Sequence, residues 1–277
     1  MEETAYAKIN LALHVRAREP DGYHRIETLF AFAEDGDRLG VGAGDGLSLR
    51  ISGPFASELC EAGDNLVLRA AEALRDRCRI GKGASLILDK RLPVASGIGG
   101  GSADAAAALR LLRRWWSLEV EDAVLLDIAR ELGADVPACV GSRTTRGEGR
   151  GDRLLSSDGA GLSGSPLLLV NPRVPVSTAA VFRAWEGADR GPLPPGAPLG
   201  AALAGRNDLE APACSIAPEI REVLVALVSR EGLRLTRMSG SGATCFGLFE
   251  TVEDRDSARA AIASMHPLWW QLATRLR

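Results

Sequence analysis

Between Pro93 and Asp104 the chain reads Pro-Val-Ala-Ser-Gly-Ile-Gly-Gly-Gly-Ser-Ala-Asp, then runs on to Trp116 through alanine- and leucine-rich sequence with no further glycine or proline. A loop that only small residues can build must therefore open directly onto a helix of about four turns. Glycines let the backbone take left-handed angles and approach a ligand closely. The helix start adds unpaired N–H groups and the positive end of its dipole. Ser102 reads as the N-cap and Asp104 as a first-turn carboxylate suited to that dipole, with the helix over 103–116. The stretch is either a phosphate cradle or a glycine-rich strand-to-helix turn with no ligand.

Two other phosphate signatures are excluded or out of context. The pattern G-x-x-x-x-G-K-[ST] is absent. A literal G-x-G-x-x-G at 159–164 follows Ser156-Ser157-Asp158 and precedes the strand-like Leu167–Val170, whereas a dinucleotide fingerprint needs a strand before it and a helix after. It reads as a flexible loop.

At 277 residues two domains are expected, and a formal charge of −3 argues against a general nucleic-acid or membrane-surface binder. Cys60, Cys78, Cys139, Cys214 and Cys245 form no C-x-x-C pair, so zinc spacing and a disulfide framework are not expected and a reducing cytoplasm fits. The acidic Met1-Glu2-Glu3 start is unlike a secretory signal, and no apolar run approaches the length of a membrane span. Only three of the 33 basic residues are lysines, so Lys8, inside the apolar Ala5–Leu11 stretch, marks either a place that wants a compact ammonium or a strand's wet face.

Strands are expected at Thr4–Val15 and Ile26–Phe32, paired antiparallel through the Pro20-Asp21-Gly22 turn, and at Leu47–Ser52, Ala84–Leu88, Leu167–Val170, Leu233–Met238 and Thr244–Phe249. Leu268–Leu276 is a further strand that closes a sheet. Helices are expected at Leu66–Cys78, capped by Asp64-Asn65, at Glu121–Leu132 ending on Gly133, at Ser177–Trp185, at Asp254–Ser264, and at Pro218–Arg230 with Ile220, Val223, Leu224, Leu227 and Val228 on one face. Arg143–Gly164 marks a domain boundary or an exposed hairpin, and Gly187–Gly200 a surface loop. Strand pairs without strict β-α-β alternation point to an α+β fold.

Several residues suit chemistry. Asp135, held between Gly133 and the Val136-Pro137 pair, can orient a hydroxyl or accept its proton; the alternative is a turn aspartate capping its own backbone. With the Lys8 ammonium it could polarise an alcohol. Tyr23 and His24 suit stacking on and hydrogen bonding to a base or sugar, or form a tyrosine corner with a solvated histidine. His14 and His266 read as structural. Ser239-Gly240-Ser241-Gly242 is a hairpin turn or a companion phosphate loop.

Lys8 in Ala-Lys-Ile-Asn-Leu, the Pro93–Ser102 loop and Ser239–Ala243 together resemble the three motifs of the GHMP small-molecule kinases, which include galactokinase, homoserine kinase and mevalonate kinase. Pro20–His24, Gly133–Pro137 and Asn207-Asp208-Leu209-Glu210 further resemble the branch whose acceptor is the 2-hydroxyl of 4-diphosphocytidyl-2-C-methyl-D-erythritol, in non-mevalonate isoprenoid biosynthesis. The likeness runs from Ala5 to about Phe249. It implies a two-domain GHMP-kinase fold, taken as residues 1–155 and 156–277, with ATP and substrate in the interdomain cleft. It further implies that Pro93, Val94, Ala95, Ser96, Gly97, Ile98, Gly99, Gly100, Gly101, Ser102 and Ala103 wrap the ATP phosphates while Asn65 lies by the nucleoside. Asp135 becomes the base, with Lys8 as its charged partner and Asn10 on the polyol. Tyr23 and Phe182 sandwich a cytosine, His24 hydrogen-bonds to it, and Thr178 lines its pocket. Mg²⁺ is expected with the nucleotide, and no nucleic-acid or membrane partner is expected. Family loops often carry glycine where this chain has Ala95 and Ser96, and leucine in place of Ile98. The family also leaves open a different acceptor, such as homoserine or a mevalonate derivative, or a silent ligand-binding member.

Overall fold

Two long strands organise the chain: β1 (Glu2–Arg18) and β2 (His24–Gly42), which pair with each other across the tight turn at 19–23. Both outrun their apolar cores. The exposed Glu34 and Asp35 do not end β2, because its two ends have separate partners. Residues 26–30 pair antiparallel with β5 (Thr145–Gly149), and residues 38–42 pair with β4 (Ala84–Asp89). The short strands β3 (Leu47–Ser52), parallel to β4, and β6 (Arg153–Leu155), antiparallel to β5, complete a six-stranded sheet. The segment after Arg143 is thus a hairpin as far as Leu155. This computed structural model describes residues 1–59, 65–155 and 161–277; Cys60, Asp64 and Gly159-Ala160 of the 159–164 loop lie outside them.

The fold is α+β, and the chain forms two compact units: Met1–Ala7 with Asp35–Val94 and Gly99–Ser142, and Lys8–Glu34 with Ala95–Ile98 and Arg143–Arg277. Where the sequence reading takes one boundary at 155/156, the chain passes between units five times, because β1 and β2 each supply both.

In the first unit the helices α1 (Leu66–Arg77), α2 (Gly100–Trp115), α3 (Asp122–Leu132) and α4 (Val136–Gly141) pack together. Val67, Ala70, Ala71 and Leu74 are buried, as the period of α1 predicts. The start of α2 corrects the expected cap. Gly99, at φ +64°, is its N-cap, so Gly100 and Gly101 are already helical, and Ser102 sits inside the first turn. Asp104 falls beyond the first turn and is buried, so its carboxylate serves partners other than the dipole.

The second unit holds an antiparallel sheet of β7 (Pro166–Asn171), β8 (Leu233–Met238), β9 (Cys245–Phe249) and β10 (Trp270–Arg275) in the order β10-β7-β9-β8. The helices α5 (Thr178–Ala184), α6 (Pro198–Ala204), α7 (Glu210–Ile216), α8 (Glu219–Val228) and α9 (Val252–Met265) belong to the same unit. Leu168, Val170, Val181, Ile220, Val223, Leu227 and Phe249 form its core. On α8 the buried stripe is narrower than predicted: Ala226 is inside, while Val228 is 61% exposed. The unpredicted α4, α6 and α7 are six or seven residues long, too short to show a period, and each carries proline in its first turns.

His14 is structural, and its partners fix its tautomer. Its Nδ1 faces the Gly191 carbonyl at 3.1 Å and its Nε2 accepts the Arg206 N–H at 3.2 Å, so Nδ1 carries the proton. His266 stacks on Trp269 at 3.6 Å. Among the described residues no helix is long and apolar enough to cross a membrane.

Candidate active site

The glycine loop is built from left-handed residues at alternate positions: Ala95 at φ +49°, Gly97 at +79° and Gly99 at +64°. Left-handed residues that alternate with right-handed ones curl backbone N–H groups towards one side, as in an anion nest, and the three positive φ angles suit that curl. Three of the four residues 95–98 are fastened within the second unit. The Thr244 N–H donates to the Ser96 carbonyl (3.0 Å), the Ser239 hydroxyl to the Gly97 carbonyl (2.9 Å), and the Lys8 N–H to the Ile98 carbonyl (3.0 Å). The two small-residue loops paired by the sequence reading are therefore in direct contact. Ala95 carries a side chain where its φ favours glycine, at a cost of about 1 kcal/mol. Ala95→Gly should consequently raise stability by about 0.5–1 kcal/mol, seen as a higher urea midpoint, with the loop's conformation unchanged.

Lys8 lies in β1 between buried neighbours and is only 3% exposed, which removes the wet-face reading. Its ammonium donates to Asn10 Oδ1 (2.8 Å) and sits 5.4 Å from the Phe30 ring centre. The amide nitrogen of Asn10 donates to the Thr28 hydroxyl (2.8 Å), which donates onward to the Ala12 carbonyl (2.7 Å). The Asn10 N–H donates to Ser239 Oγ (3.1 Å). These bonds hold Asn10 at both ends of its amide and at its backbone N–H, which ties it and Lys8 to the Ser239 loop. Thr28 is the member that sequence reasoning missed. Its signal is a hydroxyl directly before the apolar run Leu29–Ala33.

The Ser239 loop is pinned from its other side by the Asn207–Glu210 motif. The Asn207 amide donates to the Met238 and Gly240 carbonyls, both at 2.8 Å, and Glu210 Oε2 accepts the Met238 N–H. Asp208 Oδ2 accepts the Val15 N–H at 2.8 Å, tying the motif to β1.

In the first unit, Asp135 occupies the N-cap position of α4, half-buried, yet its side chain makes no cap hydrogen bond to that helix. The self-capping alternative is therefore not what the structure adopts. Asn65 caps α1 by accepting the Val67 N–H at Oδ1 (2.8 Å), which leaves its amide nitrogen as a donor.

In the second unit His24 meets Phe182, and Tyr23 packs with Arg150. The His24 ring lies 5.0 Å from Phe182, tilted by 42°, and 5.7 Å edge-on from Trp185, a neighbour that sequence reading did not single out. Burial, followed by the nearby Arg18 charge, holds the His24 imidazole below its ordinary pKa of 6.5. Arg18 Nε donates to His24 Nε2 at 3.3 Å, which leaves Nδ1 as the ring's donor. Tyr23 is 53% exposed with the Arg150 guanidinium 4.5 Å over its ring. Thr178, one helical turn before Phe182 on α5, shares a 2.8 Å hydrogen bond with the Ser241 hydroxyl.

Comparison with known proteins identifies the family. The GHMP kinases N terminal domain matches residues 65–143, and the GHMP kinases C terminal domain matches residues 196–268. A 4-diphosphocytidyl-2-C-methyl-D-erythritol kinase of Rhizorhabdus wittichii is 57% identical, covering 99% of this chain and 94% of its own length. A kinase of the same name from Sphingopyxis alaskensis is 51% identical, covering 100% of this chain and 99% of its own. A crystal structure of 4-(cytidine 5'-diphospho)-2C-methyl-D-erythritol kinase superposes with a TM-score of 0.79 at 35% identity, covering 100% of this chain and 99% of that one. The chain belongs to the GHMP kinases and, within them, to the 4-diphosphocytidyl-2-C-methyl-D-erythritol kinase family.

Proposed function

We propose that this chain transfers the γ-phosphoryl group of ATP to the 2-hydroxyl of 4-diphosphocytidyl-2-C-methyl-D-erythritol, giving the 2-phosphate and ADP in non-mevalonate isoprenoid biosynthesis. The observation that carries this reading is 57% identity along the full length to a kinase named for that acceptor. The aromatic set of His24, Phe182 and Tyr23 supports it, because a homoserine or mevalonate acceptor has no base to stack.

Asp135 accepts the proton of the 2-hydroxyl as its oxygen attacks the γ-phosphorus and the bond to the β-phosphate oxygen breaks. Lys8 offers its ammonium to the charge that develops on the transferring group, with Asn10 held beside it to receive the polyol. The Pro93–Ala103 loop wraps the ATP phosphates in its N–H nest, the Ser239–Gly242 loop backs it, and Asn65 serves the nucleoside. Tyr23 and Phe182 sandwich the cytosine, with Thr178 at the pocket's edge. Mg²⁺ is expected with the nucleotide, since it readily keeps phosphate and water ligands. Residues 1–155 carry the ATP-binding part, residues 156–277 complete the substrate site, and the reaction takes place in the cytoplasm.

The test is to incubate the purified protein with ATP, Mg²⁺ and the cytidyl substrate and assay for ADP and a monophosphorylated product. Turnover with homoserine or mevalonate instead would overturn the acceptor and leave the family standing.

A pH dependence follows from His24. Above its lowered pKa the ring is neutral and able to donate from Nδ1 to the base; below it, protonated Nε2 confronts the Arg18 donor and the ring carries charge. The KM for the cytidyl substrate should stay flat at pH 7–8 and rise only at acidic pH, below the ordinary histidine value. His24→Ala should raise that KM by roughly tenfold and remove the acid limb.

A further inference from the structure

Where β4 ends and the glycine loop begins, three charged side chains are shut away from water. Lys90 is 1% exposed, Asp37 on β2 is 0% exposed and Asp104 on α2 is 2% exposed. The Lys90 ammonium lies 2.5 Å from Asp37 Oδ2 and 2.8 Å from Asp104 Oδ2. Asp37 uses its other oxygen to accept the N–H groups of Arg91 (2.5 Å) and Leu92 (2.8 Å). One carboxylate therefore holds three consecutive residues leading into Pro93, while the same ammonium reaches the helix that leaves the loop.

Such a cluster is a poor way to gain stability. Two carboxylates compete for one ammonium, Asp104 Oδ1 has no hydrogen-bond partner among the described residues, and apolar residues of similar volume often replace buried ion pairs without loss. Burial, opposed by Lys90 and reinforced by Asp37, pushes the Asp104 carboxyl up to about 7. The ammonium is also matched to its niche. A Cβ on Gly100, the first residue of α2, would stand 2.9 Å from Lys90 Nζ, so helix and ammonium meet with no space between them. A guanidinium is too broad for that gap, which accounts for one of the few lysines in a chain that otherwise uses arginine.

We propose that Lys90 is a positioning residue for phosphoryl transfer, its ammonium clipping the strand that enters the glycine loop, through Asp37, to the helix that leaves it, through Asp104. The proposal rests on the reading of that loop as the ATP phosphate clamp. Closing the loop's two ends onto one point fixes its span, and with it the register of the N–H groups that meet the phosphates.

The test is steady-state kinetics on the full chain. Lys90→Met should raise the KM for ATP roughly ten- to hundredfold while the KM for the cytidyl substrate stays within about twofold. Asp104→Asn, which still offers the ammonium an oxygen, should raise the KM for ATP several-fold less. If Lys90→Met gives no cooperative melt, the double variant Lys90→Met/Asp104→Leu carries the test, since it replaces the Lys90–Asp104 pair with apolar contact and leaves Asp37 on the Arg91 and Leu92 N–H groups. A folded variant lacking the ammonium that keeps the wild-type KM for ATP would overturn the clip, as would equal rises for both substrates. Gly97→Ala in the same assay separates the two readings: if it too leaves ATP binding intact, the phosphate-clamp reading fails along with the clip.

Discussion

Asp135→Asn should lower kcat by about two to four orders of magnitude and leave the KM for ATP within about twofold. The substitution is nearly isosteric, and the backbone at this position, φ −85° and ψ −17°, suits either residue. The side chain contributes no cap hydrogen bond to α4, so exchanging carboxylate for amide does not weaken the helix it opens. What is lost is a group able to take the proton of the attacking hydroxyl. Because phosphoryl transfer asks little covalent chemistry of the protein, positioning and charge neutralisation survive the change and account for the remaining rate. Lys8→Met should act on the same event, so Asp135→Asn and Lys8→Met combined should cost much less than the sum of their separate effects. Saturating single-turnover measurements, with nucleotide affinity followed by displacement of a fluorescent ADP analogue, would check both. A large loss of ATP affinity in Asp135→Asn would instead place this residue in the nucleotide site.

What could be read from the chain alone was whatever local chemistry determines. Leu47–Ser52 and Leu233–Met238 alternate or run apolar between turn residues, and both strands have the predicted bounds. The period of α1 and the glycine after α3 are equally local signals. The expectation failed where a distant partner decides. The second half of β2 exists because β4 pairs with it, although exposed acids at 34–35 suggest an end. Ser102 looked like a cap by residue type, but the left-handed turn at Gly99 starts the helix earlier. The site divides in the same way. Lys8 and the two small-residue loops stood out by type and spacing and Asn10 only through the family resemblance, whereas Thr28, Trp185 and the Asp37–Lys90–Asp104 cluster acquire meaning only when folding brings sequence-distant residues together.

Gly97→Ala should abolish measurable ATP saturation and cost roughly 2–5 kcal/mol of stability. At Gly97 a Cβ would stand 2.4 Å from the Ser239 carbonyl oxygen and 2.8 Å from that of Gly242. Both obstacles are backbone, and both belong to a loop fastened by Asn207 and Glu210, so neither can rotate away as a side chain would. The left-handed φ of +79° adds its own penalty for any residue with a side chain. Relief requires the two loops to separate, which breaks the hydrogen bond from Ser239 to the Gly97 carbonyl and unsettles Asn10, whose N–H is held by the same serine hydroxyl. The effect should therefore reach both substrates, with ATP the more affected because the nest itself is distorted. Ala95→Gly, two residues away, offers the opposite sign from the same physics, since it removes a side chain from a left-handed position instead of adding one. Urea midpoints that move apart for these two substitutions, with ATP binding lost only in Gly97→Ala, would tie the loop's backbone geometry to its grip on phosphate; unchanged ATP kinetics in Gly97→Ala would remove the loop from the nucleotide site.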